Sequence, residues 1–288
     1  MPLYRDEAVV LRTHKLGEAD RIITLLTRHH GRVRAVAKGV RRTTSKFGSR
    51  LEPFTHVDLQ LAEGRTFDIV TQAETRSLFH AGLAADYDRY TSGTAMLETA
   101  ERLVTEEKEP SLQQVLLLVG GLRALAAPDR RPLQVLDSYI LRSRSVAGYA
   151  PTFTHCAHCG IEGPHRWFNP SMGGVLCATC RVPGSASPSP ETLLVLGALL
   201  AGDWDHVHAA TDRQLREASS LVAAFMTWHL ERQLRSWEHV QRGARPVRGV
   251  DESPVHRGSI RFSAVATPEK RRRSLRSTGR SRSLGWSS

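Results

Sequence analysis

The spacing of apolar residues changes near residue 80, from the alternation typical of strands to the three- and four-residue spacing typical of helices. Before that point the chain contains five short apolar or alternating runs, which are separated by glycines and polar connections. Five short strands in this length are typical of a small β-barrel, with the five-stranded OB type as the leading candidate and an SH3-like barrel as the alternative. The runs are Ala8–Arg12, Ile22–Thr27, Arg32–Lys38, Val57–Leu61 and Phe67–Thr71.

Residues 81–240 have the pattern of a helical domain. Ser111 is a candidate N-cap, and Pro132 is typical of a first helical turn. Together the two halves predict an α+β protein, with an OB-fold domain at 1–80 and a mainly α-helical domain at 81–240. The predicted helices span Tyr87–Val104, Ser111 to the region of Pro128, Pro132 to the region of Gly148, Glu191–Leu200 and Asp212–Trp237.

The net charge of +11 is distributed unevenly along the chain. Residues 1–80 carry +5, residues 81–240 carry −3 and residues 241–288 carry +9. The last segment is rich in Arg, Ser, Gly and Pro and poor in apolar residues, so we expect a basic, disordered tail at 241–288. Most of the overall basicity belongs to this tail, and the global charge alone is no argument for nucleic-acid binding.

The stretch from Arg21 to Leu51 contains nine basic residues and no acid. Arg32, Arg34 and Lys38 have the same parity in the predicted third strand, so they share one face of the sheet. Such a surface favours polyanions, because each neutralised phosphate releases a counterion, whereas the alternative is a solvated face that keeps the protein soluble. The candidate DNA-binding residues are Arg21, Arg32, Arg34, Lys38, Arg41, Arg42, Lys46 and Arg50.

A long basic loop is predicted at Gly39–Pro53, after the third strand. Phe47 lies within it and Phe54 follows it. Either ring could stack on a nucleobase, which contributes about 1–3 kcal/mol per base. The preferred interpretation is that both rings anchor the loop to the barrel.

All four cysteines lie in two CxxC pairs that are separated by seventeen residues. Two such turns can direct four thiolates at one point, and this spacing predicts a zinc site within residues 153–182. Four thiolates complete the tetrahedron and leave no open position, so the predicted zinc is structural, and the pairs favour a reducing compartment. The predicted ligands are Cys156, Cys159, Cys177 and Cys180. Three nearby histidines could substitute as ligands, but the preferred interpretation is that they are bystanders or partners outside the ligand set. They are His155, His158 and His165.

Short motifs in both halves of the chain are similar to those of a known family. They are Val9–Arg12 (VVLR), Gly17–Asp20 (GEAD), Gly31–Gly39 (GRVRAVAKG), Ser45, Gly48, Leu51–Phe54 (LEPF) and Gly148–Pro151 (GYAP). In combination they resemble the DNA repair protein RecO family of bacterial recombination mediators, over about residues 3–240.

This resemblance implies an N-terminal OB fold, a helical bundle and a zinc-binding insertion that some members lack. It implies binding of single- and double-stranded DNA, annealing of complementary strands, and work with RecR, often RecF, to load RecA onto DNA coated by single-strand-binding protein. The helical domain of relatives can receive the acidic, apolar tail of single-strand-binding protein. No catalytic residue is implied. The family's basic positions correspond best to Arg32, Arg34, Lys38, Arg41, Arg42 and Lys46.

Two other functions remain as alternatives at this point. A metal nuclease needs convergent carboxylates, but the acid pairs Asp86/Asp88 and Asp203/Asp205 are explained by helix capping. An RNA-binding or transcription-associated barrel protein with a zinc knuckle is the other alternative. The chain has no long apolar window and no signal-type N-terminus, so we expect a non-enzymatic cytoplasmic protein that is associated with the nucleoid and not with a membrane.

Overall fold

The computed structural model describes residues 1–104, 109–229, 236, 239 and 240. Its N-terminal part is a closed barrel with the strand order β1-β2-β3-β5-β4, which confirms the expected five-stranded OB-type barrel. Neighbouring strands are antiparallel except β3 and β5, which are parallel with Ala35 opposite Asp68. The strands are β1 (Leu3–Leu16), β2 (Asp20–Thr27), β3 (Arg32–Ala37), β4 (Thr55–Ala62) and β5 (Asp68–Leu78).

The alternation expected for β3 is present. Val33, Ala35 and Ala37 are buried in the barrel core, whereas Arg34 is exposed and Arg32 is half-buried. The connection from β3 to β4 consists mostly of turns and one 3-10 helix, Gly48–Leu51. Because alternate side chains of a strand point to opposite faces, the cations of β3 lie on the outer surface of the barrel.

After residue 79 the described chain is mainly helical, as expected. The part of the predicted helix Asp212–Trp237 beyond residue 229 falls largely outside the described residues, as does the predicted tail at 241–288. No helix among the described residues has both the length and the apolar character needed to cross a membrane. The helices are α1 (His80–Ala84), α2 (Tyr87–Leu103), α3 (Leu112–Ala126), α4 (Pro132–Val146), α5 (Pro190–Ala201), α6 (Trp204–Ala209) and α7 (Asp212–His229).

Side-chain caps account for two of the acidic residues noted in the sequence. The carboxylate of Asp86 accepts from the N–H of Arg89 at 3.0 Å, and Asp203 accepts from the N–H of His206 at 3.3 Å. The prediction that the Ser111 side chain caps the N-terminus of α3 was wrong. Helix α3 does begin after Ser111, but the hydroxyl donates to the carbonyl of Thr27 at 2.9 Å and thereby joins α3 to the barrel.

The barrel and the helices share one apolar core at Phe54. Its backbone has φ +66°, and its ring is 2% exposed and lies 5.5 Å from the Tyr90 ring, centroid to centroid. A Cβ at Gly93 of α2 would lie 3.0 Å from the Phe54 ring and 3.3 Å from Leu83. Glycine therefore lets α2 approach the barrel closely.

The cysteine-containing segment is attached to the helical core by a short hairpin. Strands β6 (Trp167–Asn169) and β7 (Gly174–Leu176) pair antiparallel, with Phe168 opposite Val175. Both of these side chains are buried in the core formed by the helices. The hairpin thus holds the segment in place even though its loops are largely exposed.

Candidate nucleic-acid interface and metal centre

The outer face of β3 carries an arginine on an aromatic ring. The Arg34 guanidinium carbon lies 4.6 Å from the centre of the half-buried Phe67 ring. The parallel pairing of β3 with β5 brings Phe67 beside Arg34. The sequence analysis missed Phe67 as a candidate because it predicted the strand but not which strand lies beside it. Only the strand order places Phe67 next to the basic strand β3.

The cations of the loop after β3 bond mainly to backbone carbonyls. The Arg41 guanidinium donates to the Gly17 carbonyl at 3.1 Å, and the Lys46 ammonium donates to the Thr71 carbonyl at 2.9 Å. The Arg50 guanidinium donates to the Lys46 carbonyl at 2.6 Å. Carbonyls orient these groups but leave their charge available to an external anion.

Six of the candidate residues are exposed and share one property. Among the residues that the structure describes, no carboxylate oxygen lies within 4.0 Å of their charged nitrogens. We call this set the open basic surface. Its members are Arg34, Lys38, Arg41, Arg42, Lys46 and Arg50. The remaining β3 cation, Arg32, faces a cleft between the barrel and the helices.

Arg21 differs from this set, because its guanidinium lies 2.5 Å from a carboxylate oxygen of Glu52. Arg28, which also belongs to the acid-free stretch, lies 3.3 Å from Glu7. Both acids come from outside that stretch. The fold therefore neutralises these two arginines, and we do not include Arg21 in the open basic surface.

Two adjacent histidines at the β2–β3 turn are held by a buried acid. The Asp6 side chain has no exposed area, and its oxygens lie 3.0 Å from His29 Nδ1 and 2.6 Å from His30 Nδ1. The N–H of His29 also donates to Asp6 at 3.0 Å. Burial opposes ionisation, but these hydrogen bonds outweigh it and lower the pKa of Asp6 below its usual value.

Phe47 and Phe54 are both 2% exposed. Phe47 lies in the barrel core and Phe54 lies in the core shared with the helices. The preferred interpretation, in which these rings anchor the loop, is confirmed. Neither ring is accessible for stacking on a base in this structure.

The four cysteine sulfurs form one cluster. All lie within 4.8 Å of one another, and Cys159 Sγ is 3.9 Å from Cys177 Sγ. A tetrahedron with Zn–S bonds of about 2.3 Å has sulfur separations of about 3.8 Å, so the spacing fits a metal ion. None of these four cysteines forms a disulfide. The four cysteines that the sequence paired thus converge on a possible structural metal site.

Backbone N–H groups favour a thiolate at the buried member of the cluster. Burial opposes ionisation of Cys156, but N–H groups of Cys159, Cys177 and His158 lower the pKa of the thiol to about 5. At Cys180 the hydrogen bond with the Cys177 side chain and burial oppose ionisation and raise the pKa to about 12. A thiolate at Cys156 repels a second negative charge in the cluster until a cation binds.

The three nearby histidines lie outside the cluster of potential ligands in the described residues. His158 Nδ1 is 3.5 Å from Cys180 Sγ, which is the position of a hydrogen-bonding neighbour of a ligand. His165 Nε2 is 2.7 Å from the Ile161 carbonyl. His158 is thus positioned as a partner outside the ligand set, and His165 as a bystander. Both agree with the interpretation from the sequence.

Comparison with known proteins identifies similar sequences along both parts of the chain. The family model "Recombination protein O N terminal" matches residues 1–79, and "Recombination protein O C terminal" matches residues 84–238. A DNA repair protein RecO from Nocardioides sp. is 73% identical over 243 residues, which cover 83% of this chain and 100% of the relative. The RecO of Streptomyces coelicolor is 58% identical over 248 residues, covering 84% of this chain and 100% of the relative.

Proposed function

This chain belongs to the recombination protein O (RecO) family, and we propose that it is a non-enzymatic DNA-binding and strand-annealing protein. Family membership supports a role in DNA repair and recombination. In the proposal, residues 1–80 form the main DNA-binding domain and residues 81–240 form a helical domain with the metal-binding insertion. The protein acts in the cytoplasm, at the nucleoid.

The observation that carries the proposal is the open basic surface. Its six cations lie on one barrel strand and the adjoining loop, and their described contacts are carbonyls or aromatic rings rather than carboxylates. Two complementary strands repel each other, and annealing requires that their phosphate charge be neutralised while the bases stay accessible. An exposed surface that binds the DNA backbone meets both requirements.

The direct test removes three of these charges together, as Arg34→Ala, Lys38→Ala and Arg42→Ala. We expect weaker binding to all sequences and a log–log salt slope for single strands that falls by about 2, since each phosphate contact contributes about 0.7. Fluorescence anisotropy at several salt concentrations measures both quantities. The matched control removes three exposed arginines of the helical domain, as Arg123→Ala, Arg213→Ala and Arg216→Ala. An equal loss in the control would contradict the proposal.

We further propose that the chain is a recombination mediator, which acts with RecR and single-strand-binding protein, and with RecF, to load RecA onto single-stranded DNA. The support is family membership together with the surface described above. The experiment is annealing of complementary strands precoated with single-strand-binding protein, with and without this chain and RecR. Acceleration by the wild-type chain and its loss in the triple variant support the proposal. Cleavage of labelled DNA by the pure protein with magnesium would contradict a non-enzymatic role.

The four thiolates of Cys156, Cys159, Cys177 and Cys180 would hold a structural Zn²⁺ ion. The ion would supply the positive charge that lets all four cysteines ionise at neutral pH. It would also join the two CxxC turns and stabilise the segment that the β6–β7 hairpin attaches to the helices. Four sulfurs fill the tetrahedron, so the site offers no position for a reacting water.

Zinc removal tests this assignment. We expect about one zinc per chain in purified protein, and a thermal midpoint that falls by about 5 °C or more after chelation. Affinity for DNA should change less than about two-fold while the protein stays folded, because the open basic surface is on the barrel. Protein that contains no zinc by elemental analysis, yet melts at the same temperature with and without chelator, would overturn the assignment.

A further inference from the structure

A wide cleft separates one side of the barrel from the helices and contains a buried cation. The cleft has a volume of about 1270 Å³. It is lined by residues of β1, β3, α2 and α4, by His229 at the end of α7, and by Ser236 and His239. Arg144, near the end of α4, is 5% exposed and borders it. Among the described residues, its Nε has no hydrogen-bond partner and no carboxylate lies within 4.0 Å of its guanidinium.

The local backbone fixes this cation against an aromatic ring. Gly148 adopts φ +85°, and this turn brings the N–H of Tyr149 to the carbonyl of Arg144 at 2.9 Å. The Tyr149 ring then lies 4.3 Å from the guanidinium carbon, and it remains 58% exposed. A second ring on the cleft wall, that of Tyr90, is 43% exposed.

The acids of the cleft do not neutralise Arg144. Glu101 lies 2.9 Å from the Arg12 guanidinium, and Glu98 lies 2.9 Å from that of Arg102. Each acid is therefore already engaged with a cation. Burying a charge is unfavourable unless it is paired. A buried guanidinium that has no carboxylate partner among the described residues and borders an open cleft therefore indicates a site for an anion.

Strand β3 connects this cleft to the open basic surface. Arg32, at the start of the strand, lines the cleft, whereas Lys38 follows its last residue. The two positions are roughly 20 Å apart along an extended strand. Arg34 lies between them on the same outer face. Cations thus continue along β3 from the loop to the cleft.

We propose that the cleft is a second binding site for single-stranded nucleic acid, in which Arg144 binds a phosphate and Tyr149 stacks on a base. This inference rests on the proposed function, since the strand would arrive from the open basic surface. The exposed rings favour a single strand over a duplex, because paired bases are not available for stacking. An acidic peptide could also bind Arg144, but it would not need two aromatic platforms or the basic continuation along β3.

The test compares Arg144→Met and Tyr149→Ala with wild type in the full-length chain. With an unstructured single-stranded oligonucleotide we expect Arg144→Met to weaken binding about ten-fold and to lower the log–log salt slope by about 0.7. Tyr149→Ala should weaken binding about five-fold or more with the slope nearly unchanged. Binding to a blunt duplex should change less than about two-fold in both variants. Arg144→Lys keeps the charge and should restore the salt slope.

The matched control is Arg130→Met, because the Arg130 guanidinium also lies 4.6 Å from an aromatic ring, that of Trp204, but outside the cleft. Photocrosslinking of the wild-type protein to a halogenated single strand, followed by mass spectrometry, should give an adduct at Tyr149 or Tyr90. This measurement does not depend on the folding of a variant.

Three results would overturn the inference. They are unchanged single-strand affinity and slope in folded Arg144→Met, crosslinks confined to the barrel, or an Arg144-dependent affinity for an acidic peptide without any effect on DNA. The triple variant of the open basic surface distinguishes an error in the second site from an error in the proposed function. If the triple variant loses DNA binding and the cleft variants do not, only the second site is wrong.

Discussion

Arg21 and Arg28 differ from Lys38 and Arg42 in what the fold places beside them, although all four belong to one acid-free stretch of sequence. Glu52 and Glu7 neutralise the first two, at 2.5 and 3.3 Å. Lys38 and Arg42 are exposed and have no described carboxylate within 4.0 Å. The charge of a segment is therefore a poor measure of the charge of a surface, because acids from elsewhere in the chain determine which cations remain available.

The same contrast separates the two ends of strand β3. At the β2–β3 turn, His29 and His30 are tied to the buried Asp6 and contribute to the barrel's architecture. At the other end, the loop cations contact carbonyls and extend toward solvent. We infer that the first group serves stability and the second serves binding. Mutations should therefore separate the two properties.

The largest effect is expected from Asp6→Asn. This change removes the buried charge that holds two imidazoles and the N–H of His29, and breaking a buried network of this kind costs about 3 kcal/mol. Urea unfolding measures the loss. The folded fraction should bind DNA with nearly wild-type affinity, since Asp6 lies outside the open basic surface. A variant that is as stable as wild type but binds DNA poorly would contradict the inference that Asp6 and its histidines serve stability while the loop cations serve binding.

A smaller, pH-dependent effect follows from the lowered pKa of Asp6. Because this pKa is lower in the folded protein than the unfolded value of 3.8, the carboxylate stabilises the fold fully above pH 3.8. The contribution is lost as the pH falls through the folded pKa. The difference in unfolding free energy between wild type and Asp6→Asn should therefore shrink as the pH falls below 3.8. A difference that stays unchanged below pH 3.8 would show that Asp6 is not held ionised.

The smallest stability effect is expected at the open basic surface. Replacing Arg34, Lys38 and Arg42 with alanine removes exposed side chains that have no carboxylate partner in the described part of the chain. Exposed substitutions usually change stability by less than about 0.5 kcal/mol. Arg34 also loses its contact with the Phe67 ring, which contributes about 0.5–1 kcal/mol at an exposed site. Urea unfolding of each single variant would reveal any larger cost. Loss of more than about 2 kcal/mol at Lys38 would mean that it has a structural role.

Much of the fold could be predicted because its signals are local. The alternation of polar and apolar residues predicted β3 and the outward position of its cations. Helical spacing predicted α2 with a C-terminal end one residue from the observed one. The CxxC turns indicated which sulfurs converge, since each turn directs two sulfurs at one point. Burial of Phe47 and Phe54 agreed with the anchoring that was preferred for them.

The parts that could not be predicted depend on contacts between distant residues. The pairing of Arg21 with Glu52 requires the loop to fold back, and the bond from Ser111 to Thr27 requires α3 to dock on β2. Phe67 joins the basic face only because β5 lies beside β3. Arg144 becomes a buried cation only when the helices and the barrel form a cleft. Periodicity within one segment contains none of this information.

The most direct measurement compares two double variants that remove the same number of charges from the same stretch, Lys38→Ala/Arg42→Ala and Arg21→Ala/Arg28→Ala. The salt dependence of single-stranded DNA binding is measured for each by fluorescence anisotropy. We expect the first pair to lower the log–log slope by about 1.4, and the second to change it by less than about 0.4, because its charges are already paired. Equal changes in slope, or a larger change in the second pair, would contradict the assignment of DNA binding to the open basic surface.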